Sequence, residues 1–183
     1  MSLLVTGVAD CQASADTDVV LVTYALGSCI GLLVHDPAAR VGGLLHFMLP
    51  NSGIDAAKAD KHPYMFADTG IPRLLEKVSR LGGETRRLVA TAVGGAQVLD
   101  FQGAFNIGKQ NDLALRKILR KAGVFLHSEE IGGTASRTVR LEVATGRVLL
   151  RIGDKPEQEL TTSLSLNRRL PCLEVEAALS GET

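Results

Sequence analysis

The first fifty residues carry four apolar runs. Leu3 to Val8 reads as a short strand, and Asp18 to Tyr24 as a second, rich in valine. Ile30 to Val34 is a third, closed by the turn signal Asp36-Pro37, and Val41 to Leu49 is a fourth. Four such runs joined by short turns predict an antiparallel sheet early in the chain. Asn51 to Lys61 is polar and reads as a surface loop. The period then changes. Ile71, Leu74, Leu75, Val78 and Leu81 follow the i, i+3, i+4, i+7, i+10 spacing of one buried helix face. Asp68 or Thr69 is positioned to cap this helix, with Pro72 in its first turn and Gly82-Gly83 ending it.

Farther on, Arg87 to Val93 reads as a strand that stops in Gly94-Gly95. A second helix is predicted to start near Asn111 or Asp112, with Leu115, Ile118, Leu119 and Ala122 on its apolar face and Gly123 as its stop. Arg116, Lys117, Arg120 and Lys121 suit its last turns, where cations meet the negative end of the helix dipole. Val124 to His127 is a further strand. Thr138 to Val143 and Arg147 to Ile152 alternate around Ala144-Thr145-Gly146 and predict a hairpin. No internal repeat is visible, and the residues after Asp154 lack strong periodicity.

Composition narrows the function. The 183 residues suit one domain with a real core. Twenty basic residues balance twenty acidic ones, so nothing in the net charge draws the chain to nucleic acid or to anionic lipid. No apolar run approaches the ~20 residues that span a bilayer, and the N-terminus lacks a basic signal-peptide region. Three widely spaced cysteines, Cys11, Cys29 and Cys172, predict reduced thiols and a cytoplasmic location rather than a disulfide frame. Cys-x-x-Cys and His-x-x-x-His are both absent, which disfavours a metal site. Gly94-Gly95-Ala96 and Gly132-Gly133-Thr134 fit neither phosphate-binding fingerprint, and read as turns.

The remaining candidate chemistry is a thiol and an imidazole. Cys29 follows Gly27-Ser28 at the end of a strand, and His46 lies inside the fourth apolar run. A thiol becomes a nucleophile when a base or dipole promotes its thiolate. Taken alone, Cys29 reads slightly better as a small buried hydrophobe, and a lone histidine in an apolar run such as His46 is more often a hydrogen-bonded structural residue than a base. His35, His62 and His127 read as solvated or capping residues, and Cys11 and Cys172 as incidental. Tyr64, Met65 and Phe66 follow the polar loop and have two readings, a docking patch or an anchor to the core.

Thr23-Tyr-Ala-Leu-Gly-Ser-Cys29, His35-Asp36-Pro37 and Gly42-Gly43-Leu-Leu-His46-Phe-Met-Leu-Pro50 together resemble the signature of the CheD family, bacterial chemoreceptor glutamine deamidases. Tyr64 to Asp68, Gly94-Gly95-Ala96, Asn106-Ile107-Gly108, Gly132-Gly133 and Thr145-Gly146 continue the match. The resemblance runs from about residue 18 to about residue 153, leaving 154–183 as an extension of unclear role on a single domain of residues 1–183. It implies an α+β fold, a mixed or antiparallel β-sheet core flanked by helices, in accord with the strand-rich pattern above. It makes Cys29 the nucleophile, His46 the general base and Thr23 the group that orients it. Tyr24, Gly27 and Ser28 flank these positions as candidate pocket residues. No cofactor or metal is implied. The implied substrate is a glutamine on the cytoplasmic helices of a methyl-accepting chemoreceptor, and a CheC-type phosphatase is a possible partner. A receptor methylesterase using the same three residues, or a non-catalytic chemotaxis adaptor, are the alternative readings.

Overall fold

A computed structural model describes residues 1–97 and 106–160. Five strands come first: β1 (Ser2–Val5), β2 (Asp10–Ser14), β3 (Val19–Leu26), β4 (Ile30–Asp36) and β5 (Val41–Phe47). Two helices follow, α1 (Ala56–Lys61) and α2 (Ala67–Arg80). Then come β6 (Val89–Gly94), α3 (Ile107–Ala122), β7 (Leu126–Ile131), β8 (Arg137–Glu142), β9 (Val148–Ile152) and the short β10 (Gln158–Glu159). The content is α+β, as the sequence pattern and the family resemblance both led us to expect.

The strands form two mixed sheets, ordered β1-β3-β8-β9-β10 and β2-β5-β4-β6-β7. Within each, one pair is parallel (β1 with β3, β6 with β7) and the rest are antiparallel. The early runs therefore do not share one sheet. The first two belong to one sheet, and the third and fourth to the other. A second strand, β2, lies between the first two runs.

The sheets stack face to face, and α2 and α3 cover the far side of the second. Strands β4 and β5 are buried along their whole length because they have a core on each face. Ile30, Leu32, Val34, Val41, Leu45 and Phe47 pack toward the helices, with Ile71, Leu74, Val78, Leu115 and Leu119. Leu33 and Leu44 point the other way and pack between the sheets, with Leu21, Leu26, Val139 and Leu141. A strand covered on both faces loses its polar alternation, and so these two read as continuous apolar runs.

Several local expectations change. Residues 51–61 are not an open loop. Asp55 accepts a hydrogen bond from the Lys58 amide and caps α1. Helix α2 starts at Ala67, so Pro72 lies inside it, beyond the first turn, and Asp68 instead binds the amide and hydroxyl of Ser52. Leu81 is exposed. Helix α3 starts four residues earlier than its apolar period implies. Asn106 takes the Lys109 amide as the N-cap, and Gly123 ends the helix in the left-handed region, φ 70°. Strand β7 continues through Ser128-Glu129-Glu130 to Ile131. The fold also runs past residue 153, because β10 pairs with β9; residues 161–183 lie outside the described part of the chain.

Candidate active site

A buried side-chain hydrogen bond joins the two sheets at the candidate site. Thr23 lies on the inner face of β3, and His46 on the inner face of β5. Their Oγ1 and Nδ1 atoms are 2.8 Å apart, and both residues are 1% exposed. Two local features let the side chains reach each other. Gly31 is the cross-strand partner of His46, and a Cβ there would come 3.0 Å from Leu26 and 3.5 Å from Thr23. Just after Thr23, β3 carries a bulge. Thr23 and Leu26 are three positions apart on β3 while their partners Val139 and Arg137 are two apart on β8. Ala25, in the bulge, has φ 54°. The extra residue turns Leu26 inward on the same side as Thr23, a common use of bulges beside functional groups.

Cys29 lies in the short connection from β3 to β4, which carries the chain from one sheet to the other. It stands two residues before Gly31, so it shares the inter-sheet face with His46 as a diagonal neighbour across the β4–β5 pair. It is half-buried against the inter-sheet core. The connection is held by its carbonyls: Gly27 accepts from the Ala96 amide and Cys29 from the Gly95 amide, each at 2.8 Å. Ser28 accepts from the side chain of Asn111 at 3.0 Å. Gly94 must lack a side chain, since a Cβ would stand 2.2 Å from the Cys29 carbonyl oxygen.

The electrostatics favour neutral partners. Burial pushes the His46 pKa down to about 4. Burial raises the Cys29 pKa, and its own backbone amide partly offsets this. Both shifts favour a thiol and a neutral imidazole over an ion pair. Nε2 is a buried atom with no hydrogen-bond partner among the described residues, and in the tautomer whose Nδ1–H donates to Thr23 it carries the imidazole lone pair.

The neighbouring candidates separate. Tyr24 is exposed on the opposite face of β3, where it lines a cavity of about 300 Å³ with Ala25, Thr138 and Arg151. Ser28 and Gly27 are half-buried, and their carbonyls are committed to the hydrogen bonds above. Phe66 is fully buried in the core, so the docking patch of residues 64–66 is overturned in favour of the anchoring reading. Tyr64 packs on the helix-side core, its ring under the Lys77 ammonium at 5.1 Å. His35 is not solvated either. It is 4% exposed, its Nε2 meets the Val143 carbonyl at 2.9 Å, and Gly146 lies against its ring. Cys11 is fully buried, with burial pushing its pKa up to about 12. Among the described residues, no three His, Cys, Asp or Glu side chains come together as a metal cage.

Comparison with known proteins adds what geometry does not. A family model described as CheD chemotactic sensory transduction matches residues 48–152. That span begins after Thr23, Cys29 and His46, so it speaks for the family and not for the triad. A protein of Solibacter usitatus named "Probable chemoreceptor glutamine deamidase CheD" is 55% identical over 163 residues, 89% of this chain and 96% of its own length. One from Syntrophus aciditrophicus with a similar name is 42% identical over 87% of this chain and all of its own length. The "Chemoreceptor glutamine deamidase CheD" of Thermotoga maritima is 40% identical over 72% of this chain and 81% of its own length.

Proposed function

The chain belongs to the CheD family, and on that premise we propose that it hydrolyses glutamine side chains of chemoreceptors to glutamate and releases ammonia. The observation that carries the reading is the inter-sheet pair: Thr23 holds Nδ1 of His46, Nε2 is left free, and the half-buried Cys29 thiol shares that face. Nε2 takes the thiol proton as the sulfur attacks the amide carbon, so that the thiolate is produced only during the attack. Sulfur–carbon bond formation gives a tetrahedral oxyanion. Nε2 returns the proton to the nitrogen, the carbon–nitrogen bond breaks, and ammonia leaves a thioester. Water, deprotonated by the same nitrogen, then cleaves the thioester. Glutamate departs and the thiol is restored. Thiol and imidazole carry every proton and acyl transfer.

The cytoplasm is the proposed place of action, where a free Cys29 stays reduced. The receptor's cytoplasmic helices are the substrate, a CheC-type phosphatase is a partner to test, and Gly27 and Ser28, beside the thiol, are assigned to the substrate side of the site. Residues 1–183 are treated as one deamidase domain. The deciding experiment is mass spectrometry of a receptor cytoplasmic fragment after incubation with the protein. Amide-to-acid conversion at specific glutamines, with ammonia released, is the expected result. Methanol release from a methylated fragment, with glutamines untouched, would replace the reading with an esterase.

A further inference from the structure

One polar side chain lies fully buried behind the proposed nucleophile. Asn111 is 0% exposed, on the face of α3 that packs against the sheet. Its Nδ2 donates to two carbonyls at once, Ser28 at 3.0 Å and Met48 at 2.8 Å. Ser28 precedes Cys29, and Met48 follows His46 by two residues. A single amide group therefore ties the nucleophile's connection to the end of the strand that carries the base.

The chemistry of the two contacts fixes which residue can do this. Both atoms are carbonyl oxygens, so the group facing them must be a double donor with no negative charge. A carboxylate there would face two oxygens across about 3 Å with nothing to donate. An alanine would leave two part-buried carbonyls short of a partner. The approach of α3 is equally constrained. Gly108 lies one turn before Asn111, and a Cβ on it would stand 2.2 Å from the Gly95 carbonyl oxygen. Gly95 in turn donates its amide to Cys29. The first turn of α3 is thus seated against the same backbone that holds Cys29, and Asn111 reaches both halves of the site from that seat.

We propose that Asn111 is a positioning residue for the cysteine chemistry, setting the placement of Cys29 relative to His46 without touching substrate. The proposal rests on the deamidase reading for its activity assay but not for its thiol assay. Asn111 is changed to Ala and to Asp, and two quantities are measured in the full-length protein. The first is kcat and KM for deamidation of a receptor fragment. The second is the pH dependence of iodoacetamide alkylation at Cys29, read by peptide mass spectrometry. Protection of the core thiol Cys11 in the same sample reports that the fold is intact.

With Cys11 still protected, Asn111→Ala is expected to lower kcat about 10- to 100-fold, with KM within about twofold, as misplaced reacting groups do. The alkylation profile of Cys29 should also change. In Asn111→Asp the protonated carboxyl donates one hydrogen bond and the ionised form none. This variant should therefore work best at low pH and lose kcat as pH rises, a dependence foreign to the wild type. Should Asn111→Ala expose Cys11, the Asp variant decides. Folded variants whose kcat, pH profile and Cys29 alkylation all stay within about twofold of wild type would overturn the proposal. A wild type that deamidates nothing would instead sink the proposed function, with the alkylation comparison still deciding the role of Asn111.

Discussion

Cys11 and Cys29 are the same side chain in opposite settings. Cys11 is sealed in the helix-side core with its pKa pushed up to about 12, whereas Cys29 is half-open on a backbone turn. Iodoacetamide should label Cys29 faster than Cys11, and Cys29→Ala should stay folded while losing deamidation. Equal labelling of both thiols, or an active alanine variant, would refute the assignment. Beside it, His46→Ala should lose nearly all activity, since every proton transfer of the proposed cycle passes through Nε2. Thr23→Ala should lose less, because a neutral hydrogen bond contributes about 0.5–1.5 kcal/mol, roughly a 2- to 12-fold fall in kcat/KM. Steady-state kinetics of the two variants checks that order. Thr23, Cys29 and His46 were legible as a motif, because each sits in a distinctive local string. His35 was not, since no local pattern reveals that the turn at Thr145-Gly146 folds back over its ring. Asn111 did leave a signal. It stands four residues before Leu115, a polar residue in register with the apolar stripe of α3, where a surface polar residue has no place.

Helices and strands follow their residues where one face is buried and blur where two are. The β8–β9 hairpin and the apolar face of α2 were readable because polar residues mark their outer sides. Strands β4 and β5 have no outer side, so their strings announced strands but not which neighbours cover them. The glycine pair at 42–43 has its explanation only in the stacked layers. Gly42 faces Leu141 and Val143 of the opposing sheet, and Gly43 faces α2. A Cβ at position 43 would stand 2.7 Å from Leu74 Cδ1 and 2.8 Å from Val78 Cγ2, which must then shift. We expect Gly43→Ala to destabilise the protein by about 1–3 kcal/mol through overpacking, measured by urea denaturation. An unchanged midpoint would mean that α2 yields at no cost. The late start assigned to α3 has a similar cause. Its first turn contains Gly108, whose absent side chain weakens the helical signal just where the backbone needs room.

At the scale of the molecule, the sequence disclosed strands but not their division between sheets, because sheet membership depends on contacts far apart in the chain. The connection from β3 to β4 is short enough for a hairpin, yet it crosses from one sheet to the other. That layering also sets the response to acid. His46 and His35 are held neutral by burial, whereas both protonate near the ordinary 6.5 once unfolded. The unfolded chain therefore binds more protons below that pH, and stability is lost as pH falls from about 6.5 toward 4. His46 alone accounts for roughly 3 kcal/mol of this loss. In His46→Gln, the drop in denaturant midpoint between neutral pH and about pH 4 should be smaller than in the wild type; an equal drop would assign the acid sensitivity elsewhere. The hydrogen bond between Thr23 and His46 has a mechanical meaning as well. Its two ends belong to different sheets, so it behaves as a rivet through a laminate, and catalysis becomes a gauge of whether the plies are still joined. The helices are fastened to one ply only. As denaturant is raised, activity should therefore fail when water first enters the seam, while the helical circular-dichroism signal from α2 and α3 persists.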